Sequence, residues 1–437
     1  MHRRFLAIIL FFVIALAACD SNKNDALRTK SIVYCSEGSP ENFNPQTVTS
    51  GVSIDATSNQ IYDRLIAFND DNTLVPALAT AWHVTNDGKI ITFYLRKDVT
   101  FHQTDYFTPT RLFNADDVLF SFNRILEPEN NFHSISGARY PFFQNINFHS
   151  LVSEIDKIND YTIRFVLTRP DSSFLANLAT SFSVILSAEY GEYLAKNNDD
   201  YKIDIHPIGT GPFKLKEYHT GSFIRYYPHL EYWRENPYLR QLIFDITPSK
   251  TGRLTKLLAG ECDVISYPIA HEKILDRSDL TLEEVTSLNV GYLGFNTQIP
   301  PFNNKLVRQA IAFAINKSAI LETIYKGKAE LANSIISKSS WAYNANIQEQ
   351  VYSIEKAKEL LNQAGYPNGF TMNIWAMPVQ RAYNPNALTM AKLIQADLKK
   401  IGIKVEIISY EWSAFLRKLT LGEHQSVLLG WSADNPD

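Results

Sequence analysis

The sequence predicts an α/β protein, and three features of its last third predict it. Strand-like runs at Phe370–Met377, Ile403–Tyr410 and Ser426–Trp431 are separated by helical patterns. The first of these patterns puts Leu388, Ala391, Ile394, Leu398 and Ile401 on one face and stops at Gly402. The second is an amphipathic segment from Phe415 to Leu421. Strand–helix–strand alternation implies parallel strands joined by right-handed crossovers.

The earlier elements follow from local signals. Residues 20–30 are polar and unpatterned, as a flexible tether would be, and Ser31–Ser36 reads as a strand. Asn86-Asp87-Gly88-Lys89 is a turn ahead of alternating Ile91, Phe93 and Leu95, which signals a hairpin. Asn114 caps a helix through Val118, Phe120, Phe122 and Ile125. Glycines and prolines punctuate Pro207–Phe213, a crossing between domains. A second hairpin then turns at Gly221. Ser353 caps a helix through Ala357, Leu360 and Leu361 that ends at Gly365, with Pro367 beyond.

The first twenty residues read as an export signal. His2-Arg3-Arg4 precedes an apolar run from Phe5 to Ala18, shorter than the roughly 20 residues a membrane-spanning helix needs. Leu16-Ala17-Ala18-Cys19 has the form of a lipobox, with residues 1–18 removed and Cys19 lipidated; ordinary signal cleavage is the alternative. Residues 19–30 then form a lipid-anchored linker. The expected location is the periplasm, tethered to the membrane.

Composition narrows the function further. A 437-residue chain with 45% apolar and 20% charged residues is globular and long enough for two or three domains. Its net charge of −4 and lack of a basic block argue against nucleic acid as a partner. Besides Cys19, only Cys35 and Cys262 remain, as one possible disulfide or as two buried thiols. The 26 Phe and 22 Tyr must mostly fill cores, although surplus Tyr and Trp also suit a pocket for organic ligands. An exported hydrolase finds no support: the chain lacks a Gly-x-Ser-x-Gly elbow and a His-Glu-x-x-His motif. His102, His133 and His424 read as satisfied structural histidines, and Asp116-Asp117 as a helix-start pair. No cofactor is expected.

In open parallel sheets, ligands sit beyond the carboxyl ends of the strands. After the three C-terminal strands come Arg381 and Tyr383, then Glu411 and Trp412, then Trp431 and Asp434. A zwitterionic peptide asks for such a set: Arg for a carboxylate, Asp for an ammonium, aromatics for side chains. The alternative is that Arg381 and Asp434 are surface charges or pair with each other.

Several motifs carry a resemblance. They include Tyr34-Cys35-Ser36-Glu37-Gly38-Ser39-Pro40, Phe43-Asn44-Pro45, Phe93-Tyr94-Leu95-Arg96 and Val99-Thr100-Phe101-His102. Asn114-Ala115-Asp116-Asp117-Val118, Gly209-Thr210-Gly211-Pro212-Phe213 and Val307-Arg308-Gln309-Ala310 extend the set. Together they resemble the extracytoplasmic peptide-binding lipoproteins of ABC importers, solute-binding family 5. Met377–Asn386 and Gly422–Gln425 are similar to its dipeptide and haem branch. Thr108-Pro109-Thr110 and Thr251–Leu254 are similar to the Sap-type branch that takes up antimicrobial peptides.

The resemblance implies a periplasmic binding protein type II-like fold, two lobes in three domains. Residues 31–67 with 209–288 would form domain I, 68–208 domain II and 289–437 domain III. Family members continue past the Asp434-Asn435 motif, so domain III is expected to be incomplete, its C-terminal part missing. The implied function is capture of short peptides for an ABC permease and ATPase by a monomeric, non-enzymatic protein. Haem binding, antimicrobial-peptide capture and a non-transport receptor role are the alternatives. By resemblance, Arg381 receives the peptide carboxylate and Asp434 the ammonium. Met377 lies in the same motif as Arg381. Tyr383, Trp412 and Trp431 match pocket aromatics, Thr49 matches a contact from the first lobe, and Cys35 and Cys262 match the family's first disulfide.

Overall fold

The computed structural model describes residues 30–285, 288–338, 340, 342–347, 350–410 and 412–433. Cys19 and the export segment lie outside the described residues, as does Asp434. The chain divides into two compact units, one ending at Glu283 and the other starting at Glu284.

The first unit holds eleven strands among its described residues. They are β1 Ser31–Ser36, β2 Ile66–Phe68, β3 Leu74–Pro76, β4 Ala79–Val84, β5 Ile90–Leu95, β6 Val152–Asn159, β7 Thr162–Leu167, β8 Phe213–His219, β9 Phe223–Pro228, β10 Gln241–Ile246 and β11 Val264–Ile265. One sheet has the order β11-β1-β10-β9-β8 and a second β4-β5-β7-β6; β2 and β3 form a small pair. β1 runs parallel to β10 and β11, whereas the two expected hairpins, β4–β5 and β8–β9, pair antiparallel. Cys35 in β1 is disulfide-bonded to Cys262, just before β11, with Cα atoms 5.8 Å apart.

The phenylalanines fill the core behind the second sheet. Phe93, Phe122, Phe165 and Phe174 are buried and meet edge to face. Such contacts add about 0.5–1.5 kcal/mol each beyond the area they bury. The Ala115–Leu126 helix supplies Phe122. Its start is fixed by Asn114, whose side chain accepts from the Asp116 N–H, while the Asp117 carboxylate accepts from the Asn114 N–H. Asp117 also takes both terminal nitrogens of Arg111, so the adjacent carboxylates are structural.

Gly209 and Gly211 sit where the chain passes against Ile61. A Cβ on either would strike the Ile61 backbone, so only glycine fits. His102 ties this passage together: its Nδ1 accepts from the Gly209 N–H and its Nε2 donates to the Gly211 carbonyl at 2.8 Å.

Among its described residues, the second unit is built on one four-stranded sheet. Its strands are β12 Asn289–Phe295, β13 Thr371–Ala376, β14 Lys404–Ile408 and β15 Ser426–Ser432, in the order β12-β15-β13-β14. β13, β14 and β15 are parallel, joined through the helices Ala387–Lys399 and Trp412–Thr420. β12 is antiparallel to β15. Met390, Ala391, Ile394 and Leu398 bury one face of the Ala387–Lys399 helix in the core, and the C-cap leads to Gly402 in a left-handed conformation. Ser353 caps Ile354–Gln363, its hydroxyl accepting from the Lys356 N–H. Among the described residues, no helix is long and apolar enough to cross a membrane.

Candidate functional site

Because β13, β14 and β15 are parallel, their carboxyl ends open on one rim of the sheet. The segment leaving β13 carries Met377, Arg381 and Tyr383; Trp412 opens the helix after β14, and Trp431 stands at the end of β15. The rim thus collects five of the expected ligand residues from separate stretches of sequence. Met377 is turned into the core and only 3% exposed, while Trp431 is 48% exposed. Thr49 belongs to the first unit, where it is exposed between the turn Pro45–Thr47 and the helix Gly51–Ile61.

A tight turn presents Arg381. Its N–H donates to the Asn384 carbonyl, and the Asn384 N–H returns a bond to the Arg381 carbonyl. Asn384 is buried; its side-chain oxygen accepts from the Asn386 N–H, joining the turn to the next helix's cap. The Arg381 guanidinium donates to the Gln380 carbonyl at 2.9 Å and lies near the Tyr383 phenol. Burial pushes the Tyr383 phenol above its ordinary pKa, and the neighbouring guanidinium draws it part of the way back. The phenol therefore stays protonated at neutral pH.

Tyr383 rests on a feature that sequence reasoning missed. Gly291 of β12 and Gly430 of β15 are directly opposed across the antiparallel ladder. A Cβ on Gly291 would collide with the Tyr383 carbonyl, and one on Gly430 with the Tyr383 ring. Glycine inside a strand often marks a close backbone approach, which was the available signal. The Tyr325 hydroxyl, also unforeseen, donates to the Tyr383 carbonyl at 2.7 Å.

Other candidates are structural. The His133 imidazole bonds the Arg124 carbonyl through Nδ1 at 2.8 Å. His424 departs from expectation: its ring packs edge-on against Trp375, and its Nδ1 finds no hydrogen-bond partner among the described residues. A hollow of about 670 Å³ in the first unit is lined by Tyr106, Thr108, Arg111, Glu189, Tyr193 and Lys196. It contains none of the expected ligand residues, and Glu189 is engaged by the Thr110 N–H and hydroxyl. Among the described residues, no group of three or more His, Cys, Asp or Glu side chains is placed to hold a metal ion.

This α/β architecture, with loops gathered on the rim of a parallel sheet, is that of a ligand-binding protein. The profile of the bacterial extracellular solute-binding proteins, family 5 Middle, matches residues 73–437, and the chain belongs to that family. It is 46% identical over 417 residues to the dipeptide-binding protein of Escherichia coli (strain K12), covering 94% of this chain and 78% of that one. It is 42% identical over 437 residues to heme-binding protein A of Haemophilus influenzae, covering 97% and 80%. Its fold superposes on the crystal structure of a dipeptide-binding protein from Pseudoalteromonas sp. SM9913 in complex with Met-Leu. There the TM-score is 0.87 and the identity 46%, covering 93% of this chain and 81% of that one. The fold is thus the periplasmic binding protein type II-like one that the motifs imply.

Proposed function

We propose that this chain captures short peptides outside the cytoplasmic membrane and delivers them to an ABC permease. Arg381 receives the peptide carboxylate, Asp434 the ammonium, and the rings of Tyr383, Trp412 and Trp431 accept the side chains. The observation that carries this reading is the Arg381 turn at the sheet rim, with the guanidinium beside the protonated Tyr383 phenol. One planar cation and one neutral O–H together offer hydrogen-bond donors to a carboxylate, which accepts from both. The likeness to dipeptide-binding relatives supports the same ligand class. The task is binding, without bond chemistry.

Calorimetry with a dipeptide, its C-terminal amide and its N-acetyl derivative tests the assignment. The free zwitterion should bind tightest. Arg381→Gln should erase the preference for the free carboxylate, and Asp434→Asn the preference for the free ammonium. Equal losses for all three ligands would remove both roles. Haem is the second reading, supported by the likeness to heme-binding protein A. A Soret shift on titration with haemin, without heat from any peptide, would establish it instead.

Two further parts of the proposal concern the whole chain. The separate sheets of the first unit, one from residues 31–36 and 213–265 and one from 79–167, support its division into domains I and II. The Leu16-Ala17-Ala18-Cys19 motif supports export with Cys19 lipidated. Cys19→Ser should then release the protein from the membrane fraction.

A further inference from the structure

The turn that carries Arg381 has a support of its own, assembled from three distant parts of the second unit. Tyr325 ends a π-helical turn, Leu321–Tyr325, after which Lys326 and Gly327 both adopt left-handed conformations. A π-turn redirects its last side chains relative to an ordinary helix and recurs at functional sites. Here it delivers the Tyr325 hydroxyl to the Tyr383 carbonyl at 2.7 Å. That carbonyl lies over Gly291 and the Tyr383 ring over Gly430, the opposed pair of β12 and β15. Two residues before Tyr383 is Arg381, closed into the same turn by its paired bonds with Asn384.

We propose that Tyr325 is a positioning residue for carboxylate recognition: by holding the Tyr383 carbonyl against the Gly291–Gly430 seat, it fixes the turn from which Arg381 reaches the ligand. The inference rests on the reading of Arg381 as the carboxylate partner. Tyr325 acts through the backbone of Tyr383, to whose carbonyl its hydroxyl donates. Burial raises the Tyr325 phenol to about 12, so it remains a donor throughout the working pH range. Removing the hydroxyl would leave a half-buried carbonyl without its donor and free the turn to shift. A guanidinium displaced by even a fraction of an ångström loses the paired geometry that a carboxylate rewards.

The test uses the full chain and two probes, Met-Leu and its C-terminal amide, with affinities read by calorimetry and folding by thermal denaturation. Tyr325→Phe should weaken Met-Leu about 3- to 10-fold, the range of one lost hydrogen bond, and leave the amide unchanged. Gly430→Ala, which displaces the Tyr383 ring from the other side, should repeat the pattern. Equal weakening of both probes by Tyr325→Phe would reduce Tyr325 to a general structural residue and overturn the inference, as would no change. Arg381→Gln separates the two levels. If it leaves the preference for the free acid intact, the reading of Arg381 fails. If it erases that preference while Tyr325→Phe retains it, the positioning role alone fails.

Discussion

Arg124 and Asp204 face each other across 2.9 Å with both side chains sealed from solvent. The carboxylate also accepts from the Asn44 amide and the Ser136 hydroxyl, while the guanidinium reaches the Phe132 carbonyl and the Tyr140 hydroxyl. Every charged atom is thus matched, the condition under which a buried ion pair is tolerated. Asp204→Asn strands the guanidinium and should cost about 3–5 kcal/mol in urea denaturation. The double variant Arg124→Met/Asp204→Leu should lose less than the sum of the two single variants, because no uncompensated charge remains.

The buried His102 and His229 predict an acid limit to stability. Their rings meet edge to face at 4.9 Å, and both approach the Gly211 carbonyl. Burial lowers the pKa of each, most strongly for His102, with the His229 and Lys214 charges adding to the effect there; Glu231 opposes it at His229. The native state holds both rings neutral, so below about pH 6.5 the unfolded chain binds more protons. Stability should be fully present above that pH and fall as pH drops below it, by up to about 1.4 kcal/mol per pH unit for each ring. Melting curves between pH 7.5 and 4.5 check this. His102→Gln should flatten the decline, and an unchanged slope would acquit His102.

Gly209→Ala should be among the most damaging small substitutions in the chain. The added methyl would enter the Ile61 carbonyl, backbone against backbone, where no rotamer change relieves it. A loss of about 3 kcal/mol or more is expected, beyond the typical point substitution. Gly260→Ala, where nothing lies nearby but the φ of +70° is left-handed, should cost only about 1–2 kcal/mol. Chemical denaturation of the two variants side by side tests the ranking.

The Cys35–Cys262 bridge joins β1 to the stretch before β11 across a sequence separation of 227. A crosslink over so long a loop restricts the unfolded chain strongly. Replacing both cysteines by alanine should lower stability by about 2–5 kcal/mol. Adding reductant should lower the melting temperature of the parent and leave the double variant unchanged.

Local signals carried the fold a long way. The strand expected at Phe370–Met377 spans Thr371–Ala376, and the Asn114 and Ser353 caps stand at the starts of their helices. Such elements are written in short windows, by periodicity and capping chemistry. The placement of Arg381 at a sheet rim was legible for the same reason, since parallel strands send their loops to one edge. What lies beneath it was not. β12, Asn289–Phe295, alternates poorly, and its antiparallel pairing with β15 is decided by residues some 140 positions away. The Gly291–Gly430 seat and the Tyr325 bond are likewise products of tertiary approach: a glycine within a strand hints at close packing but does not say what packs there.

The three parallel strands of the second unit are joined by hydrogen bonds between the strands themselves, and their loops leave beyond the carboxyl ends. Length and composition can therefore change in one loop while the frame and the other two persist. A lineage on this scaffold can exchange one cargo for another by changing loop residues, which fits the coexistence of peptide- and haem-named relatives at similar distance from this chain.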